Sequence, residues 1–166
     1  AKMWLPNAVK DPTNKEAREK MSLAANLGGM AITASGCSIG HSFAQTFGAV
    51  NHIPHGLGCA WGLPGVMVYS AKYGNRSDLE IVADALGVSY TDETDTMDLA
   101  NEMAQIFVDF MKEIHIKSIK SLGYSLEDCL AVTERFFHDG AFANSPGTPG
   151  VPEIQEFIKY TYHIYQ

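Results

Sequence analysis

The stretch GHSFAQTFGAVNHIPHGLGCAWGLPGVMVY, residues 40–69, contains two histidines, His41 and His55, that are fourteen positions apart. On one continuous helix these residues would lie about 21 Å apart. Two nitrogen ligands of the same metal ion, each about 2 Å from it, must lie within roughly 4 Å of each other. Gly48 and Pro54 stand between the histidines, and both residue types break helices and allow the chain to reverse. A shared site therefore requires two helices with a return between them.

The segments on both sides of this return have helical patterns. We expect one helix from the N-cap Ser38 to Gly48 and a second helix that begins at His55. The segment KEAREKMSLAANLGGMAITAS after Asn14 predicts a longer helix upstream, in which the alanines and glycines suit a closely packed, buried position. None of these segments has the strict alternation of a half-buried strand.

The rest of the chain continues the helical pattern. Ser77 and Gly87 are the expected N-cap and end of one helix, and DTMDLANEMAQIFVDFMKEI has a helical stripe of apolar residues. Ser125 and Asp128 form a capping box at the start of SLEDCLAVTERFF, and a last helix follows the loop NSPGTPGVP. The sequence therefore predicts an all-α fold, a bundle of about seven helices that forms a single domain over residues 1–166.

Composition excludes several classes of function. The 166 residues carry a net charge of −7 without a basic cluster, so we expect no nucleic-acid partner. No run of about eighteen apolar residues is present, so we expect no membrane partner. The three cysteines include no CxxC pair, and free thiols in a reducing cytoplasm explain them most economically. The first residue is Ala1, which suggests a piece of a longer chain, and removal of an initiator Met before a small residue is the alternative.

His41 and His55 are the candidate metal ligands, and ordinary histidines at helix ends are the alternative. Since each lies at the start of a helix, we expect their imidazoles to meet where two helix N-termini converge. A helix N-terminus is electropositive, so a cation there needs an anionic ligand from elsewhere. Two histidines are also too few for a catalytic metal site, which typically has three protein ligands and an open position.

Gln45 is a candidate for the lining of the same site. It follows His41 by four residues and so lies on the same helix face, among apolar neighbours. The alternative is a glutamine that is hydrogen-bonded at a helix contact. The chain contains no GxGxxG or GxxxxGK[ST] motif, so it has no glycine-rich turn of the kind that holds the pyrophosphate of a dinucleotide.

The stretch around both histidines, extended through Gly74, resembles the metal-ligand signature of the iron-containing (group III) alcohol dehydrogenases. That signature reads roughly G-x-x-H-x-x-x-H-x-L-G-a-x-x-x-x-P-H-G-x-x-x-A-x-x-L-P-x-V-x-x-Y-N. EAREKMSLAANLGGMAI is similar to the helix that precedes the signature in the family. LEIVADALGV, the region of Asp139 and NSPGTPGVPEIQEFI fall where the family has its remaining helices and an Asn-Pro-Arg loop. The resemblance covers essentially the whole chain.

The resemblance implies the helical C-terminal domain of a two-domain, dehydroquinate-synthase-like fold, in which the N-terminal nucleotide-binding α/β domain is absent from this chain. The metal, Fe²⁺ or alternatively Zn²⁺, would be held by an Asp and three His. The last two of these histidines match His41 and His55, while the Asp and the first His would precede Ala1. The Asp would supply the negative charge that the helix N-termini lack.

The resemblance also implies the activity of the intact enzyme. The metal acts as a Lewis acid on the alcohol or carbonyl oxygen while hydride passes to or from NAD or NADP. The nicotinamide cofactor would bind through the missing domain, so the isolated fragment is expected to be inactive. The implied partners are an alcohol or aldehyde substrate, the protein's own N-terminal domain and further copies in a homo-oligomer.

Two departures from the family pattern limit what can be carried over. Gln45 stands where the family commonly has a second histidine that faces nicotinamide and substrate, and glutamine cannot relay protons at neutral pH as imidazole can. The Asn-Pro-Arg loop is here Asn144-Ser145-Pro146-Gly147, so the role of that arginine has no counterpart.

Two other functions remain open at this point. GHSF resembles the G-H-T-F of zinc-dependent dehydroquinate synthases, which would make the chain part of a lyase, although those enzymes continue with H-G-E where this chain has HGLGCAWGLPGVM. The other alternative is a metal-free helical interaction module, which would take up no metal even when joined to the missing domain.

Overall fold

Eight α-helices and three short 3-10 helices form the chain, and it contains no β-strand. The computed structural model describes all 166 residues. The α-helices are α1 (Leu5–Lys10), α2 (Lys15–Ser35), α3 (Ile39–Asn51), α4 (His55–Tyr73), α5 (Arg76–Leu86), α6 (Thr96–Glu113), α7 (Leu126–Leu130) and α8 (Val151–Ile164). The 3-10 helices span Lys120–Leu122, Thr133–His138 and Phe142–Asn144. The predicted all-α class is confirmed, and the short α1 is the helix that the sequence patterns did not include.

α4 lies at the centre of the bundle, in contact with α3, α6 and α8. Trp61 and Tyr69 project from it into the larger of two hydrophobic cores, which α4 shares with α3 and α8. Met67 belongs to the smaller core, between α4, α5 and α6. A helix that is buried on several sides must be apolar or small all round, and the sequence of α4 has this character.

The larger core fixes the orientation of α3. Phe43 and Phe47 are fully buried, and their rings stack with centroids 5.2 Å apart. Phe47 also meets Trp61 at a ring-centroid distance of 6.4 Å. Since residues four apart share a helix face, this stacked pair anchors one side of α3 and leaves His41 and Gln45 on the other side.

α3 and α4 cross so closely that α4 has glycine at the contact. A Cβ atom on Gly62 would lie 2.9 Å from the backbone oxygen of Gly40, and a Cβ atom on Gly58 would lie 2.9 Å from the Cα atom of Ala44. As the residue number rises along α3, the number of its contact on α4 falls. The two helices are therefore antiparallel, and they form a hairpin.

The return between these helices lies later than the sequence suggested. α3 continues past Gly48, the expected end, to Asn51. His52 then adopts a left-handed conformation with φ 54°, and the amide of Ile53 donates to the carbonyl of Gly48 at 2.9 Å. Histidine is among the residues that tolerate this conformation, so the reversal does not depend on glycine. The next helix begins at His55, as predicted.

Two of the predicted helix starts are confirmed. The side chain of Asn14 accepts from the amide of Ala17 at 3.0 Å and caps α2. Ser125 and Asp128 form the expected reciprocal capping box on α7. The segment that follows does not continue as one helix, because α7 ends at Leu130 and a 3-10 helix takes over at Thr133.

The predicted start of α5 at Ser77 is wrong. The N-cap is Asn75, and Arg76 is the first helical residue. The guanidinium of Arg76 pairs with Glu80 at 2.7 Å, one turn later, and also donates to the carbonyl oxygen of Thr91 at 2.8 Å. These bonds hold the first turn in helical geometry before Ser77 is reached. The helix ends at Gly87, as predicted, with a left-handed φ of 74°.

The predicted buried position of α2 is wrong for this chain. Ala17 is its only buried residue, and the side chains of Leu23, Leu27 and Met30 are 57%, 55% and 63% exposed. α2 contacts mainly α1, so no other helix of the chain covers its small residues. Despite these exposed apolar residues, neither α2 nor any other helix has the length and apolarity needed to cross a membrane.

Candidate metal centre

The imidazoles of His41 and His55 lie in direct contact. Their Nε2 atoms are 2.9 Å apart, and their rings meet edge to face with centroids at 4.5 Å. The expectation that the chain folds back to bring these residues together is confirmed. Their role as metal ligands stays a prediction.

The hairpin of α3 and α4 explains how residues fourteen positions apart meet. The start of α4 lies beside the end of α3, because the two helices are antiparallel. Gly40, next to His41, packs against Gly62, about two turns after His55, so the two imidazoles span this difference along the side of the hairpin. Both histidines lie in the first turn of their helices, as expected, although the two helices run in opposite directions.

The environment of His41 favours its neutral form. Burial lowers the pKa of its imidazole, and the charge of His55 lowers it further, while the carboxylate of Asp139 acts in the opposite direction. A histidine must be neutral at the nitrogen that binds a metal ion. His41 is therefore electrostatically suited to accept a cation in place of a proton.

Asp139 brings a negative charge to this side of the hairpin. Its carboxylate accepts hydrogen bonds from Ser42 Oγ at 2.7 Å and from the backbone amide of Ala141 at 3.1 Å. The side-chain amide of Gln45, with its nitrogen towards the carboxylate, donates to Asp139 Oδ1 at 2.9 Å and also to Oδ2. Half-buried Asp139 is thus held from α3 while its charge acts on His41.

Gln45 has an exposed side chain on the same side of α3 as His41. Its bond to Asp139 matches the simpler of the two expectations, a glutamine that is hydrogen-bonded at a contact between segments. This bond also places the amide next to the candidate metal centre. A role towards substrate or cofactor stays a prediction.

Cys59 is a third donor that the sequence reasoning did not include. Its Sγ atom lies 3.5 Å from Nε2 of His55 and 3.6 Å from Nδ1 of His41. Burial raises the pKa of this thiol, and the nearby charge of Cys37 raises it further. The signal was available, because Cys59 follows His55 by four residues in one helix and therefore shares its face.

The three side chains fit a transition-metal ion. His41, His55 and Cys59 each offer one ligand atom, and these atoms lie within 4.8 Å of one another. Imidazole nitrogen and thiolate sulfur are ligands of Zn²⁺, Fe²⁺ and related ions. The other histidines stand apart, and His52 serves as the C-cap of α3.

Comparison with known proteins agrees with the fold and the hairpin. Residues 3–162 match the family model described as Fe-containing alcohol dehydrogenase family, C-terminal. The chain is 29% identical over 160 residues to the NADPH-dependent butanol dehydrogenase of Clostridium saccharobutylicum, covering 90% of this chain and 39% of that protein. It is 28% identical over 159 residues to the 1,3-propanediol dehydrogenase of Citrobacter freundii, covering 95% of this chain and 41% of that protein.

Solved structures lead to the same family. An alcohol dehydrogenase from Oenococcus oeni superposes with a TM-score of 0.86 at 27% identity, over 97% of this chain and 42% of that chain. The chain spans about two fifths of the length of the two curated relatives named above. Because the family model covers nearly every residue, the chain belongs to the Fe-containing alcohol dehydrogenase family and forms its helical C-terminal domain.

Proposed function

We propose that this chain is the metal-binding part of an NAD(P)-linked alcohol dehydrogenase, which transfers hydride between an alcohol or aldehyde and nicotinamide. The observation that carries the proposal is the 2.9 Å distance between the Nε2 atoms of His41 and His55, on a hairpin whose sequence matches the family. A bound divalent cation, Fe²⁺ or alternatively Zn²⁺, would supply Lewis-acid chemistry towards the substrate oxygen.

The residues of this chain have distinct roles in the proposal. His41 and His55 bind the cation through imidazole nitrogen. The carboxylate of Asp139 offsets positive charge near His41. Its oxygens do not come within 4 Å of the His41 ring nitrogens as an ion pair would. Gln45 holds Asp139 and faces substrate or cofactor. Since an amide does not take up a proton at neutral pH, Gln45 positions groups and does not transfer protons.

The remaining partners are also part of the proposal. NAD or NADP binds through the protein's own N-terminal nucleotide-binding domain, and the protein forms a homo-oligomer in the cytoplasm. The relatives that the chain matches are more than twice its length, which supports a second domain. The exposed apolar residues of α2 support a contact between this helix and another part of the protein.

The two alternatives differ in what supports them. The relatives named above are alcohol and diol dehydrogenases, which favours the dehydrogenase over the dehydroquinate-synthase-like lyase. The metal-free helical module predicts that the protein takes up no metal, so the same experiment tests it.

The experiment compares His55→Ala with Gln45→Ala in the full-length enzyme. Losing an imidazole ligand opens the metal site, so the His55→Ala protein should be purified without metal and should not turn over. The matched control Gln45→Ala changes a residue on the opposite helix of the hairpin and should keep its metal. Any loss of enzymatic activity in Gln45→Ala should appear as a change in kcat or KM while the metal stays bound.

Metal analysis of the purified proteins decides between the outcomes. Equal metal content in His55→Ala and wild type would remove His55 from the site and the dehydrogenase proposal with it. Absence of metal from the wild-type protein, after purification with added Fe²⁺ or Zn²⁺, would support the metal-free module.

A further inference from the structure

Cys59 occupies the position of a third metal ligand. Its Sγ atom is nearly equidistant from the two imidazoles, at 3.5 Å from His55 Nε2 and 3.6 Å from His41 Nδ1. The side chain is half-buried on α4, one turn after His55, and its thiol makes no contact with a backbone acceptor. This placement is not needed for packing, because Cys59 belongs to neither hydrophobic core.

The distances agree with those of a tetrahedral ion. With metal–nitrogen bonds of about 2.0 Å and metal–sulfur bonds of about 2.3 Å, a nitrogen and a sulfur ligand lie about 3.5 Å apart, and two nitrogens about 3.3 Å. The distance of 3.5 Å between Cys59 Sγ and His55 Nε2 already matches. Cys59 meets His41 at Nδ1, whereas His55 meets it at Nε2, so His41 would bind the ion through only one of these two nitrogens. The two Nε2 atoms, at 2.9 Å, need to separate by a few tenths of an ångström.

We propose that Cys59 is a ligand of the metal, so that this chain alone supplies two histidines and one cysteine to a divalent cation. The inference rests on the proposed metal-binding role of His41 and His55. On binding, the Cys59 thiol loses its proton to solvent and a metal–thiolate bond forms. Within this chain the three ligands leave at least one position open for the Asp and the His that the resemblance places before Ala1.

The two imidazoles and the thiolate of this donor set influence which metal ion the centre prefers. Thiolate is a soft ligand that favours Zn²⁺ and Co²⁺, whereas a set of carboxylate and imidazole suits Fe²⁺ equally well. Cys59 therefore shifts the preference of this centre from iron towards zinc.

The other two thiols provide controls. Cys37 lies near enough for its charge to act on Cys59, but it is not among the three donors that lie within 4.8 Å of one another. Cys129 is fully buried in the larger core and remains present in every variant.

The test is titration of Co²⁺ into the metal-depleted 166-residue chain, followed by absorption spectroscopy. A thiolate ligand gives an intense charge-transfer band in the near ultraviolet, while the visible d–d bands report tetrahedral binding by any ligands. Wild type and Cys37→Ala should both show the near-ultraviolet band. Cys59→Ala should lose it and bind Co²⁺ at least about tenfold more weakly.

The variants separate this inference from the proposed function. Visible bands in wild type without a charge-transfer band would overturn Cys59 as a ligand and leave the histidine pair in place. Loss of the charge-transfer band in Cys37→Ala but not in Cys59→Ala would also overturn it. Failure of wild type to bind Co²⁺ at all, with helical circular dichroism intact, would overturn the inference that this chain alone supplies three ligands, while the proposed function would still be decided by metal analysis of the full-length enzyme.

Discussion

Substitution of Gly62 by alanine tests whether the close crossing of α3 and α4 holds the two imidazoles together. The added Cβ atom would lie 2.9 Å from the backbone oxygen of Gly40 and 3.2 Å from its Cα atom, where ordinary contact begins at 3.4 Å. Both atoms belong to a helix backbone, so no side-chain rotation relieves the clash. The two helices must therefore separate by about 0.5 Å.

The cost follows from two opposing effects. Overpacking of this kind costs about 1–3 kcal/mol. Alanine recovers roughly 1 kcal/mol relative to glycine inside a helix, through its higher helix propensity. We expect the free energy of unfolding to fall by up to about 2 kcal/mol, which corresponds to a drop in Tm of at most about 8 °C for a chain of this size. Since His41 and His55 lie on the two separated helices, the affinity for Co²⁺ should also differ from that of wild type.

Gly28→Ala is the matched control. Gly28 lies inside α2, and a Cβ atom there meets nothing within 4 Å. The free energy of unfolding of this variant should rise by up to about 1 kcal/mol, and the variant should bind Co²⁺ as wild type does. Urea denaturation followed by circular dichroism measures both stabilities. An increase in stability in Gly62→Ala as large as in Gly28→Ala would refute the tight crossing and its control of the site.

Three other predictions test the core, a buried tyrosine and the missing cofactor site. Phe47 is fully buried, so Phe47→Ala should lower the free energy of unfolding by about 3–5 kcal/mol. Leu27 is already 55% exposed, so Leu27→Ala should change it by less than about 0.5 kcal/mol. Similar urea midpoints for the two variants would contradict these exposures. Tyr69 donates to the carbonyl of Pro146 at 2.7 Å, and burial, with smaller effects from Tyr73 and Glu153, raises the pKa of Tyr69 to about 12. The unfolded tyrosine loses its proton near pH 10, so the free energy of unfolding should decline as pH rises from 10 through 12. Tyr69→Phe should lessen this decline, and it should lower the free energy of unfolding by about 1 kcal/mol at pH 7 because the hydrogen bond is lost. Because the 166-residue chain has no glycine-rich phosphate turn, calorimetry should detect no micromolar binding of NAD or NADP to it. Tight binding would contradict the placement of the cofactor site in another domain.

Local sequence determined the helices and most of their ends. Asn14, Ser125 and Gly87 act within a few residues of their own position, by accepting an amide hydrogen bond or by adopting a left-handed turn, so their effect can be read from their neighbours. The prediction at Ser77 was wrong because Asn75 is the N-cap and Arg76, the first helical residue, also bonds to the carbonyl oxygen of Thr91, fifteen residues later, which no local pattern contains.

The pairing of His41 with His55 was also within reach of the sequence. Only a short return separates the two helices, and antiparallel packing is the geometry that a short return permits. The exact end of α3 mattered little, because His52 closed the helix only a few residues beyond the expected Gly48.

The donors and charges around that pair were decided by tertiary structure. Asp139 comes ninety-seven residues after Ser42, and only the packing of the segment around the 3-10 helix Thr133–His138 against α3 brings them within hydrogen-bond distance. The exposure of α2 has the same origin, since small residues permit close packing but do not supply the helix that packs. The sequence by itself determined which residues form helices and that two histidines meet, because these depend on short-range bonds and a short loop. Tertiary structure decided that Asp139 joins them, because its position depends on packing between segments distant in the chain. It also decided that Cys59, on the helix face of His55, meets His41, because this contact depends on how closely α3 and α4 cross.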